Sequence, residues 1–341
     1  MEKPISTKQP PVQPNEKGAP SLVAEKEAPL NRSTATRLRA LLSILRPRQW
    51  TKNFAVFIGL VFAQKLSNIP SLERTLLAFV IFCLASSCIY ILNDLLDLEQ
   101  DRQHPIKRSR ALPSGRLPIS WAIGEMVGIA LLCGVLTITL FGVPFSTHDV
   151  YRQFGGTNLL FALIVAGYLL MMIFYSFRLK HVVLIDVFCI AAGFVLRILA
   201  GAVAVPVVIS PWLYLVTCFL SLFLAFSKRR HELVLLQGQA SSHRQILKEY
   251  SIPMLDQMIT ITVVGTLMAY SLYSFQSPTG DRHPIFVTIP FVFYGIFRYL
   301  YLVYMRMEGG SPEEVLLRDR HMLVTVVLCT VLIVSVLYLL P

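Results

Sequence analysis

From residue 54 onward the chain is a series of long apolar runs separated by short charged segments. The runs are Phe54–Leu66, Leu72–Leu92, Ile119–Phe141, Leu159–Phe177, Val182–Val205, Trp212–Phe226, Leu255–Phe275, Ile285–Tyr304 and Met322–Leu340. Roughly 20 apolar residues in helical form cross a bilayer. The pattern therefore predicts an all-α, polytopic membrane protein with about nine transmembrane helices, the first of them short. Residues 1–33 are rich in Pro, Lys and Glu, which predicts a disordered tail. They lack the apolar core of a cleaved signal. Residues 34–49 open with T-A-T-R-L-R-A-L-L-S-I-L. Leu38, Leu41, Leu42 and Leu45 share one face there, beside Arg37 and Arg39. That suits a helix lying among the headgroups, or a plain lead-in to the first span. Residues 50–341 hold the bundle and leave no stretch for a soluble domain, so any chemistry uses the bundle and its mouth.

Charge adds an orientation. Lys and Arg crowd alternate loops: Arg102, Lys107, Arg108, Arg110 and Arg116 after the second run, Arg178 and Lys180 after the fourth. Lys228, Arg229, Arg230, Arg244 and Lys248 follow the sixth, and Arg306, Arg318 and Arg320 the eighth. The other side has only Lys65, Arg74, Arg152 and Arg282. Basic loops stay cytoplasmic, so the N-terminus and every motif below are expected on that side. The same bias accounts for the net charge of +11 without a nucleic-acid partner. The six cysteines all lie in apolar runs, with no metal-ligand spacing.

The second run ends in N-D-L-L-D-L-E-Q-D, Asn93 to Asp101. On a continuous helix Asp94, Asp97 and Asp101 stand at i, i+3 and i+7, on one face. Three neighbouring carboxylates need a cation, and all-oxygen ligands point to Mg²⁺. Asn93, Asp94, Asp97 and Asp101 are the candidate metal ligands, and the three aspartates the candidate catalytic residues. A solvated acidic helix end is the plain alternative. Arg102, Lys107 and Arg108 follow directly, and acid then base on one loop suits a metal-bridged polyphosphate.

Other candidates are more open. Lys52 and Asn53, in R-P-R-Q-W-T-K-N, are placed either to donate to a phosphate or, for the lysine, to snorkel. Asp186 and Arg197 are ionisable residues inside an apolar run and need a ligand or another helix. They lie 11 residues apart, about three turns, so they share a face without touching. Asp186 suits a second metal, a ribose hydroxyl or an interhelical pair. Lys228, Arg229 and Arg230 read as a phosphate clamp or as cations favoured at a helix C-terminus. Arg318 and Arg320 read as a cover over the site or as part of a surface helix.

N-D-x-x-D-x-x-x-D followed by K-R…L-P-S-G-R resembles the UbiA superfamily of intramembrane prenyltransferases. The resemblance implies a UbiA-like bundle with its active-site mouth on the cytoplasmic side of a bacterial inner membrane. Members generally carry a second aspartate-rich motif after the sixth helix. Here that place reads S-K-R-R-H-E-L, a departure from ordinary aromatic prenylation. Together with L-K-H, L-R-I-L-A-G-A-V-A and E-E-V-L-L-R-D-R, it resembles the polyprenyl-phosphate phosphoribosyltransferase branch, from roughly Arg46 onward. That resemblance implies phosphoribosyl pyrophosphate as donor, a polyprenyl phosphate as acceptor, Mg²⁺ as cofactor, and a cell-envelope glycan precursor as product. A homo-oligomer is compatible with it. Tyr175 and Asp186 would orient ribose, with Lys180 and Arg197 near the acceptor phosphate. Lys107, Arg108 and Lys228 would neutralise the remaining phosphate charge. The competing expectation is prenyl transfer from a prenyl diphosphate to an aromatic or isoprenoid acceptor. A transporter using the acidic cluster for ions is a third.

Overall fold

Apolar runs become helices in a membrane because no solvent is there to satisfy a bare backbone. The computed structural model describes residues 34–103, 107–142, 157–207, 210–236, 245–277 and 279–339. The expected tail, 1–33, lies outside the described residues, as do Arg152 and Arg244. The elements run as follows: α1 (Thr34–Ile44), a 3-10 stretch (Pro47–Phe57), α2 (Ile58–Phe62), α3 (Ile69–Leu96), α4 (Leu98–Gln103), α5 (Ile119–Gly142), α6 (Thr157–Phe177), α7 (Ile185–Ala204), α8 (Pro211–Leu236), α9 (Ile252–Gln276), α10 (Ile289–Met305), α11 (Pro312–Arg318) and α12 (Arg320–Tyr338). Eight of these, α3, α5 to α10 and α12, are long and apolar enough to cross a membrane. The protein is thus an all-α integral membrane protein. The spans α7 and α3 are the most buried, whereas α5 and α12 show most of their surface.

The expected first span, Phe54–Leu66, takes another form. Its first residues, Phe54 to Phe57, close an 11-residue 3-10 helix that starts at Pro47, and a single turn or so of α-helix follows. Pro47 sits in the first turn after Arg46, whose φ of 53° is left-handed. A 3-10 helix rises about 2.0 Å per residue, so this short stretch still runs alongside much of α3. Contacts trace its course. Trp50 donates to Ser87 (3.0 Å), Asn53 to Ser86 (3.3 Å), and Lys65 reaches the carbonyl of Val205 at the end of α7 (3.2 Å). The stretch fits because α7 offers glycine where it passes. A Cβ on Gly201 would lie 1.9 Å from the Val56 carbonyl oxygen. Gly201→Ala is therefore expected to destabilise the bundle by about 1–3 kcal/mol or more, the scale of overpacking. A thermal melt in detergent that matches the wild type would refute this contact.

Helix α1 packs Ala40 and Ile44 against Ile91, Leu98 and Leu112, while Leu38 and Leu42 face outward. The four leucines expected on one face are thus divided, with Leu41 and Leu45 partly packed inward.

The helices alternate in direction, so the ends of α3, α6, α8 and α10 meet the starts of α5, α7, α9 and α12 at one rim. Lys180 meets Asp97, Arg229 meets Asp186 and Arg298 meets Asp319 there. The opposite rim is tied by Arg74, which is fully buried. Its guanidinium donates to the carbonyls of Ala204 (2.9 Å) and Leu140 (3.3 Å) and to Asn158 (2.5 Å). Cations are favoured where helices end and carbonyls lack partners.

Candidate active site

Helix α3 has 28 residues, about 42 Å at 1.5 Å per residue. That exceeds the roughly 30 Å hydrocarbon core, so its last turns reach the headgroup level. Asp94 lies there, 4% exposed. The helix stops at Leu96, and Asp97 caps it with φ −95° and ψ 12°. The chain resumes as α4, which carries Asp101, 2% exposed. The face expected of one continuous helix is therefore broken at its middle carboxylate.

Cations hold each carboxylate. Arg46 donates to Asp94 Oδ1. Arg110 Nη1 lies 3.2 Å from the same oxygen and 2.9 Å from Asp101 Oδ2. Lys107 Nζ is 3.2 Å from Asp101 Oδ1. Asp97 turns to Lys180, 2.6 Å away and itself buried. Asn93 stands half-buried beside Asp94. Among the described residues no three His, Cys, Asp or Glu side chains converge closely enough to hold a metal. What converges is a pair: Asp94 and Asp101 direct oxygens at one cationic nitrogen. Magnesium is commonly held by one or two carboxylates, with waters and substrate phosphates completing its shell. The pair fits that chemistry, with Arg110 Nη1 standing in for a cation between them.

The remaining candidates fall into separate groups. Asp186 is fully buried and accepts from Arg229 Nε and from the Tyr250 hydroxyl, both at 2.7 Å. Arg229 also pairs with Glu232. Tyr250 accepts from the Leu184 amide (2.8 Å). Burial, and then its hydrogen bond to Asp186, push its phenol above the ordinary tyrosine range. Of the readings open for Asp186, the structure displays the interhelical pair. Tyr175 is buried and Lys228 half-buried at the same rim.

Arg197 lies roughly 16 Å further along α7 than Asp186, at 1.5 Å per residue. It donates to Asn53 Oδ1 (2.7 Å), Gly193 O (2.7 Å) and Tyr168 OH (2.9 Å). Asn53 and Arg197 thus satisfy each other inside the bundle. Lys52 donates to Gln49 (2.6 Å). Arg102 faces outward to Glu99 (2.6 Å), and Arg108 is exposed on the 107–109 turn.

Helix α8 corrects one expectation. It does not end at Phe226 but continues to Leu236, so Lys228, Arg229 and Arg230 are not in its last turn. Carboxylates let it continue: Asp186 and Glu232 meet Arg229, and Asp256 meets Arg230 (2.6 Å). Arg318 pairs with Glu314 (3.2 Å) within α11 and is exposed. Sequence reasoning passed over Arg46 and Arg110 as partners of the aspartates, and Tyr250, Glu232 and Asp256 altogether. The basic stretch after Asp101 pointed to Arg110. Arg46 opens the R-P-R-Q-W-T-K-N stretch, but nothing local pairs it with Asp94 or marks Tyr250.

Aspartates ringed by cations thus stand at one rim of an all-α membrane bundle. The UbiA prenyltransferase family model matches residues 53–311, and the chain belongs to that family. It is 32% identical over 309 residues to the decaprenyl-phosphate phosphoribosyltransferase of Corynebacterium glutamicum, covering 88% of this chain and 87% of that one. It is 30% identical over 297 residues to the enzyme of that name from Mycobacterium tuberculosis, covering 84% and 90%. Its fold is that of a UbiA homolog from Archaeoglobus fulgidus solved with DMAPP and Mg²⁺. The TM-score is 0.62 at 17% identity, covering 87% of this chain and all of that one.

Proposed function

We propose that the protein transfers 5-phosphoribose from phosphoribosyl pyrophosphate to a polyprenyl phosphate and releases pyrophosphate. One observation carries the reading: four cations, Arg46, Lys107, Arg110 and Lys180, surround three aspartates at one rim. In place of a second acidic motif stand arginines that are paired inward. Such a site suits one metal–diphosphate together with further phosphate groups, which cations rather than a second metal would neutralise. The relatives named for this activity align over most of their length.

The acceptor phosphate is ionised at neutral pH, so its oxygen needs no strong general base. That oxygen forms a bond to the anomeric carbon as the bond to pyrophosphate breaks, and the pair of electrons leaves with pyrophosphate. The transition state is oxocarbenium-like, by analogy with other glycosyl transfers. The rim residues hold the two reactants in line. Asp94 and Asp101 would hold Mg²⁺, with Asn93 and Asp97 beside them. Bound there, the ion would neutralise charge growing on the leaving group. Lys107 and Arg110 would take its remaining oxygens, and Lys180 the acceptor phosphate. The Lys and Arg bias of the loops supports a cytoplasmic position for this rim, and the acceptor's tail would lie in lipid against the bundle.

The test uses purified protein with labelled phosphoribosyl pyrophosphate, Mg²⁺ and a polyprenyl phosphate. Label should enter the lipid fraction and fail to do so with EDTA. No lipid label, with turnover of a prenyl diphosphate instead, would replace this reading by prenyl transfer.

A further inference from the structure

We infer that Arg110 guards the acidic pair against free divalent metal, so that the site takes its metal only together with a diphosphate. This rests on the reading of Asp94 and Asp101 as the metal-facing pair. Its basis is the position of one nitrogen. Arg110 Nη1 touches Asp94 Oδ1 and Asp101 Oδ2 at 3.2 and 2.9 Å, and so stands where an ion shared by both carboxylates would stand. A bare metal must displace it or sit beside a unit positive charge.

The other neighbours strengthen the barrier. Arg46 donates to the same Asp94 oxygen, and Lys107 holds the second oxygen of Asp101. Lys180 neutralises Asp97. Four cations thus face three carboxylates, and two further positive charges meet net repulsion. A diphosphate reverses the balance. It brings anionic oxygens that a guanidinium matches in pairs, so Arg110 can leave the carboxylates without being left unpaired.

Mobility is distributed accordingly. Asp94 and Asp101 are buried, whereas Arg110 is half-buried. Its backbone is fixed by hydrogen bonds from its own amide to Lys107 O (2.9 Å) and from the Ser114 amide to its carbonyl (3.1 Å). Only the side chain has to turn.

Equilibrium dialysis tests this, with the full chain in nanodiscs and Mn²⁺ as probe, with and without inorganic pyrophosphate. Asp94→Asn supplies the background. Wild type should retain little Mn²⁺ alone and much more with pyrophosphate. Arg110→Gln should bind Mn²⁺ alone at least about tenfold more tightly than wild type, within the usual range of coupling between sites, and gain less from pyrophosphate. Arg110→Lys keeps the charge and should resemble wild type with Mn²⁺ alone. Wild-type Mn²⁺ affinity that is equal with and without pyrophosphate overturns the inference. So does an Arg110→Gln affinity equal to wild type in a variant with an unchanged melting curve. If that variant does not fold, the wild-type and Arg110→Lys titrations decide. A protein with the expected Mn²⁺ pattern but no transfer from phosphoribosyl pyrophosphate loses the proposed function and keeps the guard.

Discussion

Asp94→Asn and Asp101→Asn each slow transfer of label from phosphoribosyl pyrophosphate into lipid by at least about 100-fold, the scale of losing an electrostatic stabiliser. Both carboxylates are buried and aim at one cationic position. Asparagine keeps their shape and removes the charge that a hard divalent ion requires. Alanine would have the same effect on rate, but it would also leave Arg46 and Arg110 without their shared acceptor on Asp94. The asparagine variants therefore separate chemistry from folding. Their melting temperatures should stay close to wild type while the rate falls. Near-normal rates in both would end the assignment of this pair to the reaction.

Asp186→Ala is expected to cost roughly 3–5 kcal/mol of stability, the range for breaking a buried ion pair from one side. Arg229 is 1% exposed and would keep only Glu232 as its carboxylate partner. Tyr250 would lose the acceptor of its hydroxyl and with it part of the tie between Leu184 and the start of α9. The partner change, Arg229→Met, strands the carboxylate instead. The double variant should lose less than the sum of the two single losses, because the buried carboxylate and its guanidinium partner are then removed together. Thermal melts of the four proteins in one detergent measure this. Additive losses would show that Asp186 and Arg229 do not act as a pair.

Most of the bundle could be read from apolar run length, because in lipid the run length itself decides whether a helix crosses. Val182–Val205 was expected and Ile185–Ala204 is found. Expectation and structure part where a residue distant in the chain decides the outcome. Helix α8 passes Phe226 because Asp186 and Asp256, on other elements, neutralise its arginines. The 3-10 stretch depends on Gly201, far along the chain, leaving room for Val56. At the site, the acidic motif was visible in sequence because its members are neighbours. Its division into a pair on Arg110 and a lone Asp97 on Lys180 depends on a helix break and two loops, which local spacing does not encode.

Arg74 gives the two ends of the molecule unequal freedom. One guanidinium grips α5, α6 and α7 at the rim remote from the aspartates, and it is expected to work there as a pivot. Any widening that admits a lipid substrate must then be tong-like, with the jaws at the acidic end. Pairs of spin labels should report constant spacing across the Arg74 end and altered spacing across the other when pyrophosphate and Mg²⁺ are added. Equal movement at both ends would show that the pin does not hold.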